Sequence, residues 1–362
     1  FERLTLYPVK EIIGKNCRFL QGPDTDPAAV EEIRSAIRDR RECTVEILNY
    51  RMDGVPFWNR LSLTPVRDGH GETTHYIGVQ SDVTKRREAE MALQETNEKL
   101  EEANSRMTRD LEAAALIQHS LLPQGIPDFP EVKFAWIFEP CDELAGDTLN
   151  ILPLDGEHIA FYTPDVSGHG VPAALLSVSL HHWMSSAPGR SSLLAPADDS
   201  GTARVVTPAS QVAEILNRQF PMDLETIQYF TITYGILHRP SGKLSFVTAG
   251  SPPPVFVPGD GDGWVHDSRG IPVGMVREPG YREHTVQLSP GDRVFLYTDG
   301  IIETEDDKGN MFWTDHLAEA LSEYRSRPLD ACLRAVLGKV REWNKQDRFR
   351  DDATILALEY RG

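Results

Sequence analysis

The chain has 362 residues, of which 40% are apolar, and its 55 acidic against 37 basic side chains leave a formal net charge of −18. That length suits two cores joined by a linker, and the acidic surplus argues against nucleic acid or an anionic membrane as partner. Cys17, Cys43, Cys141 and Cys332 show neither metal-ligand spacing nor a disulfide framework, no apolar run approaches a membrane span, and no signal peptide is evident, so a cytoplasmic location is expected.

The first module, residues 1–84, opens with Gly14-Lys15-Asn16-Cys17-Arg18-Phe19-Leu20-Gln21-Gly22 and continues through IRSAI, VEILNYRMDGVPFWN and YIGVQSDVT. Alone, a free cysteine is most often a small buried hydrophobe, and a lone arginine a solvated surface. Taken in this order, however, the stretches resemble the flavin-binding signature of LOV domains, the blue-light branch of the PAS fold. The resemblance implies flavin mononucleotide (FMN) as cofactor, with Asn16, Cys17, Arg18, Gln21, Arg34, Asn49, Asn59 and Gln80 as binding residues. In that family the cysteine thiol, here Cys17, adds to the flavin ring after light absorption. Arg18 and Arg34 would pair with the FMN phosphate, which guanidinium groups suit. Asn49, Asn59 and Gln80 would hydrogen-bond the polar edge of the isoalloxazine. Phe1 matches the middle of the family pattern, so a partial domain without its first strands is expected. A redox- or ligand-sensing PAS domain is the alternative, which an absorption spectrum separates.

Residues 85–120 contain no Gly or Pro and are rich in helix formers. Leu93, Leu100, Met107, Ala114 and Leu121 recur every seventh position, with Ala103 and Ile117 as companions, the pattern of a coiled-coil seam. A parallel homodimer through this helix is expected; a single amphipathic helix lying on its own domain is the rival. Gln80 lies on the last sensor strand, just before Asp82-Val83-Thr84 and the helix. Light chemistry at the flavin is therefore expected to reorient Gln80, move the helix and shift LIQHSLLP against the following module.

Residues 121–362 set four aspartates in turns beside apolar runs: Asp147 in AGD, Asp165 in DVSGHG after HIAFYTP, Asp299 in YTDG after RVFLYT, and Asp351 in RDDAT. Asp-Gly after a strand is commonly only a turn, yet a carboxylate at a strand end also holds a hard cation through oxygen. VPAALLSVSL reads as a helix with Pro172 near its first turn. Residues 187–210 read as a mobile loop rich in Ser, Pro, Gly and Ala. FTITYGILHRPSGKLSFVTAG reads as a hairpin turning at Ser241-Gly242, with arms alternating as half-buried strands do. Neither a GxSxG elbow, a Cys-based phosphatase loop nor a GxxxxGK[ST] motif occurs, so no motif for a serine or cysteine nucleophile or a nucleotide-binding P-loop is present.

LIQHSLLP, AGD, DVSGHGVPAALL, TAGSPPP, IPVGM, YTDGIIE and DDATIL run co-linearly from about Leu116 to the end. As a series they resemble the metal-dependent (PPM, protein phosphatase type 2C-like) serine/threonine phosphatases, in their bacterial sporulation stage II E branch. The resemblance implies an α-β-β-α sandwich, and with the PAS/LOV module and helical linker an α+β chain. It also implies two Mn2+ or Mg2+ ions bridged by Asp165, with the Val166 carbonyl, Asp147, Asp299 and Asp351 completing the site. The four aspartates are thus the expected catalytic set, activating a water toward phosphoserine or phosphothreonine. The expected partner is a phosphorylated protein of anti-anti-sigma type. His169 is assigned to shaping its loop ahead of acting as general acid, and Asp352 to supporting Asp351. Three positions depart from the family pattern. Ala145-Gly146-Asp147 is followed by Thr148-Leu149-Asn150 in place of a second acid, Ser251 stands where histidine is usual, and no arginine is assignable to the phosphate. A catalytically silent scaffold that binds a regulatory partner is the alternative.

Overall fold

The computed structural model describes residues 1–123, 125, 129–184, 193–195, 205–222, 228–345 and 349–362. The chain divides into two compact units, Phe1–Met107 and Thr108–Gly362. The division falls inside one long helix, α4 (Thr84–Ser120), which covers the stretch 85–120 read as a helical linker.

In the N-terminal unit two short helices, α1 (Glu2–Thr5) and α2 (Val9–Ile12), precede a 3-10 turn at Cys17–Leu20. Helix α3 (Pro27–Arg38) starts where Asp26 accepts the Ala28 N–H at 2.9 Å and Pro27 takes the first helical position, a pairing that uses the free donors of a helix start. Strands β1 (Cys43–Tyr50), β2 (Pro56–Arg67) and β3 (Thr73–Asp82) form an antiparallel sheet in that order. Its register pairs Asn49 with Phe57, Ile47 with Asn59, and Leu61 with Gln80. Because side chains alternate along a strand, Asn49, Asn59 and Gln80 share one face. Glu46 and Trp58 occupy the other, and there the start of α4 is fastened. Trp58 donates its N–H to Thr84 Oγ1 at 2.9 Å, Val83 donates to the Trp58 carbonyl at 2.9 Å, and Arg87 reaches Glu46 at 2.9 Å with its guanidinium 4.4 Å over the Trp58 ring.

The C-terminal unit carries β4 (Val132–Glu139), β5 (Asn150–Pro153), β6 (His158–Val166), α5 (Val171–Trp183), α6 (Ala209–Gln219), β7 (Phe230–His238) and β8 (Lys243–Ala249). It continues with β9 (Val255–Val257), β10 (Trp264–Val265), β11 (His284–Gln287), β12 (Arg293–Tyr297), α7 (Asp299–Ile302), α8 (Trp313–Glu323), α9 (Leu329–Asn344) and β13 (Ala353–Tyr360). Two five-stranded sheets result, ordered β10-β9-β12-β13-β4 and β11-β8-β7-β6-β5. Phe134, Phe256, Leu296 and Leu356 from the first sheet meet Phe161, Leu237 and Phe246 from the second between the layers. Leu317, Leu333 and Val336 of α8 and α9 cover the first sheet, and Leu180, Val212 and Leu216 of α5 and α6 cover the second. The four-layer α-β-β-α arrangement expected from the motifs is therefore present.

Several local expectations change. Both arms of the β7–β8 hairpin are buried along most of their length, not half-buried, because helices lie on one side and the second sheet on the other. Residues 187–192 and 196–204 of the expected mobile loop lie outside the described residues. Leu194 and Ala195 pack into the core, and α6 already begins at Ala209. Asp299 opens a short helix instead of a turn, and Leu121 falls past the end of α4, so the heptad series stops at Ala114.

Candidate functional site

β6, β12 and β13 end at the same edge of the sandwich and carry the acidic residues there. Asp165 is the penultimate residue of β6, Asp299 follows β12 after one threonine, and Asp351 and Asp352 immediately precede β13. Their electrostatics show that they meet. Burial raises the Asp165 pKa well above the usual carboxylate range, and the neighbouring Asp299, Asp351, Asp352 and Glu303 raise it further. Burial, then Asp351 and Glu303, push Asp299 up to about 6. Asp351, on the exposed rim, is raised chiefly by its partial burial; the Asp352 N–H that it accepts at 2.8 Å pulls the other way, the Asp352 charge adds to the rise, and His169 opposes it. Like charges gathered away from water disfavour ionisation in this way unless a cation joins them.

Asp147 is set deeper, at 1% exposure. Its Oδ2 accepts hydrogen bonds from Thr298 Oγ1 at 2.8 Å and Thr354 Oγ1 at 2.6 Å, which leaves Oδ1 to face elsewhere. Burial, Asp165 and Asp352 all raise its pKa. Gly146 beside it admits no side chain: a Cβ there would stand 2.8 Å from the Val166 carbonyl oxygen and 3.1 Å from that of Gly168. The close approach of these carbonyls explains the glycine of the AGD motif.

Asp352 acts on the backbone. It accepts N–H groups from Cys141 at 2.8 Å, Gly146 at 2.7 Å and Asp147 at 3.4 Å, tying the AGD turn to the head of β13. His169, flanked by Gly168 and Gly170 at positive φ, pairs with Asp142 at 2.9 Å and joins two loops, in line with a loop-shaping role. Among the described residues Cys141 Sγ lies with carboxylate oxygens of Asp351 and Asp352 within 4.8 Å of one another. Burial and Asp352 push its thiol up to about 12, so it stays protonated at neutral pH. Motif spacing overlooked Cys141, Asp142, Thr298, Thr354 and Gln118. Gln118 of α4 donates to the Ala145 carbonyl at 2.6 Å and accepts the Ala145 N–H at 3.1 Å. The only signal for it was LIQHSLLP itself.

The departures are also explained in part. Leu149 is wholly buried, and Asn150 on β5 turns its Oδ1 to the Ile151 N–H at 2.8 Å, so the positions after Asp147 serve the core. Ser251 is buried with its Oγ lacking a partner among the described residues.

In the N-terminal unit Asn59 donates to Asn49 Oδ1 at 2.9 Å, and both side chains are buried. Asn59 Oδ1 and Gln80 Oε1 are sealed from solvent without a partner among the described residues. Cys17, Arg18 and Gln21 are exposed, Asn16 accepts the Arg18 N–H at 3.0 Å, and Arg34 lies 3.6 Å from Glu31 on the solvent side of α3. The register thus gathers the three amides, while the expected phosphate contact Arg34 is turned to an acid of its own helix.

The stage II sporulation protein E (SpoIIE) family model matches residues 155–361. This chain belongs to that family. A PAS-domain model matches residues 1–85 of the SpoIIE-family chain. A blue-light-activated histidine kinase of Rhizobium johnstonii is 53% identical over 90 residues, 25% of this chain and 26% of that protein. Phototropin-2 of Oryza sativa subsp. japonica is 51% identical over 85 residues, 24% of this chain and 9% of that protein. The chain therefore spans about a quarter of the first relative's length and about a tenth of the second's. The solved SiaA-PP2C domain of Pseudomonas aeruginosa superposes with a TM-score of 0.59 at 22% identity, covering 71% of this chain and 98% of that one, which shows a shared fold. The SpoIIE-family chain thus joins a PAS/LOV domain with blue-light photoreceptor relatives to a PP2C-type phosphatase domain.

Both sets of residues fit the groups these families use. Gathered carboxylates suit hard divalent cations, and the Cys141 thiol beside them, pushed up to about 12, stays protonated and leaves oxygen as the donor. Buried amide oxygens without partners suit a planar ligand bearing N–H groups, since such an atom otherwise costs about 1–3 kcal/mol. Among the described residues, no helix is long and apolar enough to cross a membrane.

Proposed function

We propose that this chain is a blue-light-regulated, Mn2+- or Mg2+-dependent protein phosphatase acting on phosphoserine or phosphothreonine. The observation that carries the reading is the convergence of Asp165, Asp299 and Asp351 at adjoining strand ends, near enough that Asp299 and Asp351 raise the Asp165 pKa and Asp351 raises that of Asp299. Asp165, Asp299, Asp351, the Val166 carbonyl and the free Oδ1 of Asp147 would hold two cations. When bound, such ions supply Lewis-acid activation of water and neutralise phosphoryl charge. The chain's own part is to fix the carboxylates before substrate arrives: Thr298 and Thr354 orient Asp147, and Asp352 holds the turn beneath it.

The N-terminal unit would hold FMN against Asn49, Asn59 and Gln80, with Cys17 as the reactive thiol and Arg18 toward the phosphate. FMN, when bound, supplies blue-light absorption. Gln80 lies two residues before Asp82, whose carboxylate caps the Thr84 N–H at 3.0 Å at the start of α4, so a reoriented amide acts at the root of that helix. Leu93, Leu100 and Met107, at 62%, 66% and 61% exposure, form the apolar line along which a second copy would pair in parallel. The phosphoprotein substrate is proposed to be of anti-anti-sigma type on the strength of the family resemblance, and the site of action to be the cytoplasm on the pattern of the cysteines.

The test is hydrolysis of a phosphoserine protein by the FMN-loaded chain with Mn2+, in darkness and blue light, beside Asp165→Asn. The variant is expected to lose about three decades of rate, equivalent to roughly 4 kcal/mol of barrier. A variant as fast as wild type would sink the catalytic reading; equal dark and lit rates in the wild type would sink the regulatory one.

A further inference from the structure

Gln118 is the only buried residue in the 37 residues of α4. Its neighbours invert the usual pattern: Leu116 and Ile117 are 74% and 65% exposed while the glutamine is at 8%. A buried amide is retained at a cost unless every polar atom is satisfied, and here one backbone residue satisfies both ends, Ala145 N–H to Oε1 and Nε2 to the Ala145 carbonyl.

Ala145 directly precedes Gly146 and Asp147. The next two backbone N–H groups go to Asp352, and Gly146 is pressed against the Val166 carbonyl. The turn is consequently clamped from two directions: Asp352 holds it to β13, and a single helix side chain holds it to α4. The clamp tolerates little displacement. Sliding or rotating the helix end by more than a hydrogen-bond length leaves a buried donor and acceptor on Ala145 unpaired, so the contact is either made or replaced by a different turn geometry.

We propose that Gln118 is the positioning residue through which α4 sets the AGD turn, so that the helix position determines how well the acidic cluster binds its cations. This inference rests on the reading of that cluster as a cation site. Helix α4 starts at the sensor sheet, pinned to Trp58 by Thr84 and to Glu46 by Arg87. It ends at the residue that grips the site. Gln118 touches neither substrate nor cation; it acts through Ala145.

The experiment uses the full FMN-loaded chain with Mn2+ alone as the binding probe and p-nitrophenyl phosphate as the hydrolysis probe. Gln118→Ala removes both hydrogen bonds. Gln118→Glu keeps the length and the acceptor but loses the donor, and serves if the alanine variant does not fold. Gln94→Ala, an exposed glutamine of the same helix bonded only to Glu98, controls for helix stability. Both Gln118 variants are expected to bind Mn2+ about tenfold more weakly by calorimetry, the scale of lost support behind a ligand. Their lit-to-dark ratio of hydrolysis moves toward one, whereas Gln94→Ala matches the wild type in both. Wild-type Mn2+ affinity in the Gln118 variants overturns the inference, as does a lower melting temperature with affinity and lit-to-dark ratio intact. A wild type that neither binds Mn2+ nor hydrolyses the ester overturns the cation reading, and this inference with it.

Discussion

Each unit gathers polar groups at a cost to the bare polypeptide, and the two do so with opposite electrostatics. On the sensor sheet the orphans are neutral amide oxygens, Asn59 Oδ1 and Gln80 Oε1. At the edge of the sandwich the groups are carboxylates, Asp147 among them hydrogen-bonded, and their acidic neighbours raise the pKa of Asp147, Asp165 and Asp299. An unpaired amide oxygen costs about 1–3 kcal/mol at any ordinary pH, whereas gathered carboxylates cost more the more fully they ionise. The first arrangement suits a planar hydrogen-bonding ligand; the second suits cations. The units also differ in how far the chain travels to build each face. The amides lie between Asn49 and Gln80 on three consecutive strands, while Asp352 holds Cys141 from 211 positions away.

That contrast is open to direct test, and the largest effect belongs to the sensor unit. Cys17→Ala in the FMN-loaded chain is expected to abolish the lasting light-induced change in flavin absorption; a change of normal size would remove Cys17 from the photochemistry. Next comes the scaffold of the acidic end. Asp352→Ala leaves three backbone N–H groups without their acceptor, worth about 3 kcal/mol, and should lower the melting temperature of the C-terminal unit by roughly 10 °C. A drop under about 2 °C would show that water replaces the carboxylate without loss. The smallest effect is a dependence on pH. Without cations Asp299 keeps its proton up to about 6, against an ordinary 3.8. At this group the folded state then binds more protons between these values, so the stability Asp299 contributes is fullest below pH 4 and declines as pH rises through 6. Cations bind the deprotonated form and offset that decline, so chelation should lower the melting temperature by a few degrees more at pH 7 than at pH 5. An equal shift at both pH values would contradict the clustering of these acids.

Legibility followed locality. Asp165, Asp299 and Asp351 could be picked out because each adjoins a strongly apolar run, and Pro172 marked the first turn of α5 because proline fits a helix start. Asn49, Asn59 and Gln80 likewise stood in recognisable order. The supporting residues gave no such sign. Asp352 looked like a companion of Asp351 and proved to be an acceptor for backbone donors. Thr298 and Thr354 are ordinary strand-end residues until Asp147 is folded between them. The heptad pattern drew attention to Leu93, Leu100 and Met107, which a single chain leaves exposed, and away from Gln118, which it buries. The β7–β8 arms alternate in residue type yet are covered on both sides, since alternation reports composition and not the number of layers above a sheet.

The amino-acid order by itself determined the modular plan: a LOV-like module, a helix without Gly or Pro, and a phosphatase-type module whose acids stand beside apolar runs. These follow from short-range chemistry, turn formation and side-chain periodicity, which neighbouring residues settle among themselves. Tertiary structure alone decided which carboxylates share a field, which one spends its oxygens on backbone N–H groups, and that one glutamine of a solvated helix grips the turn at the site. Those outcomes depend on distances between segments far apart in the chain, and only the packing of two sheets between helical layers sets such distances.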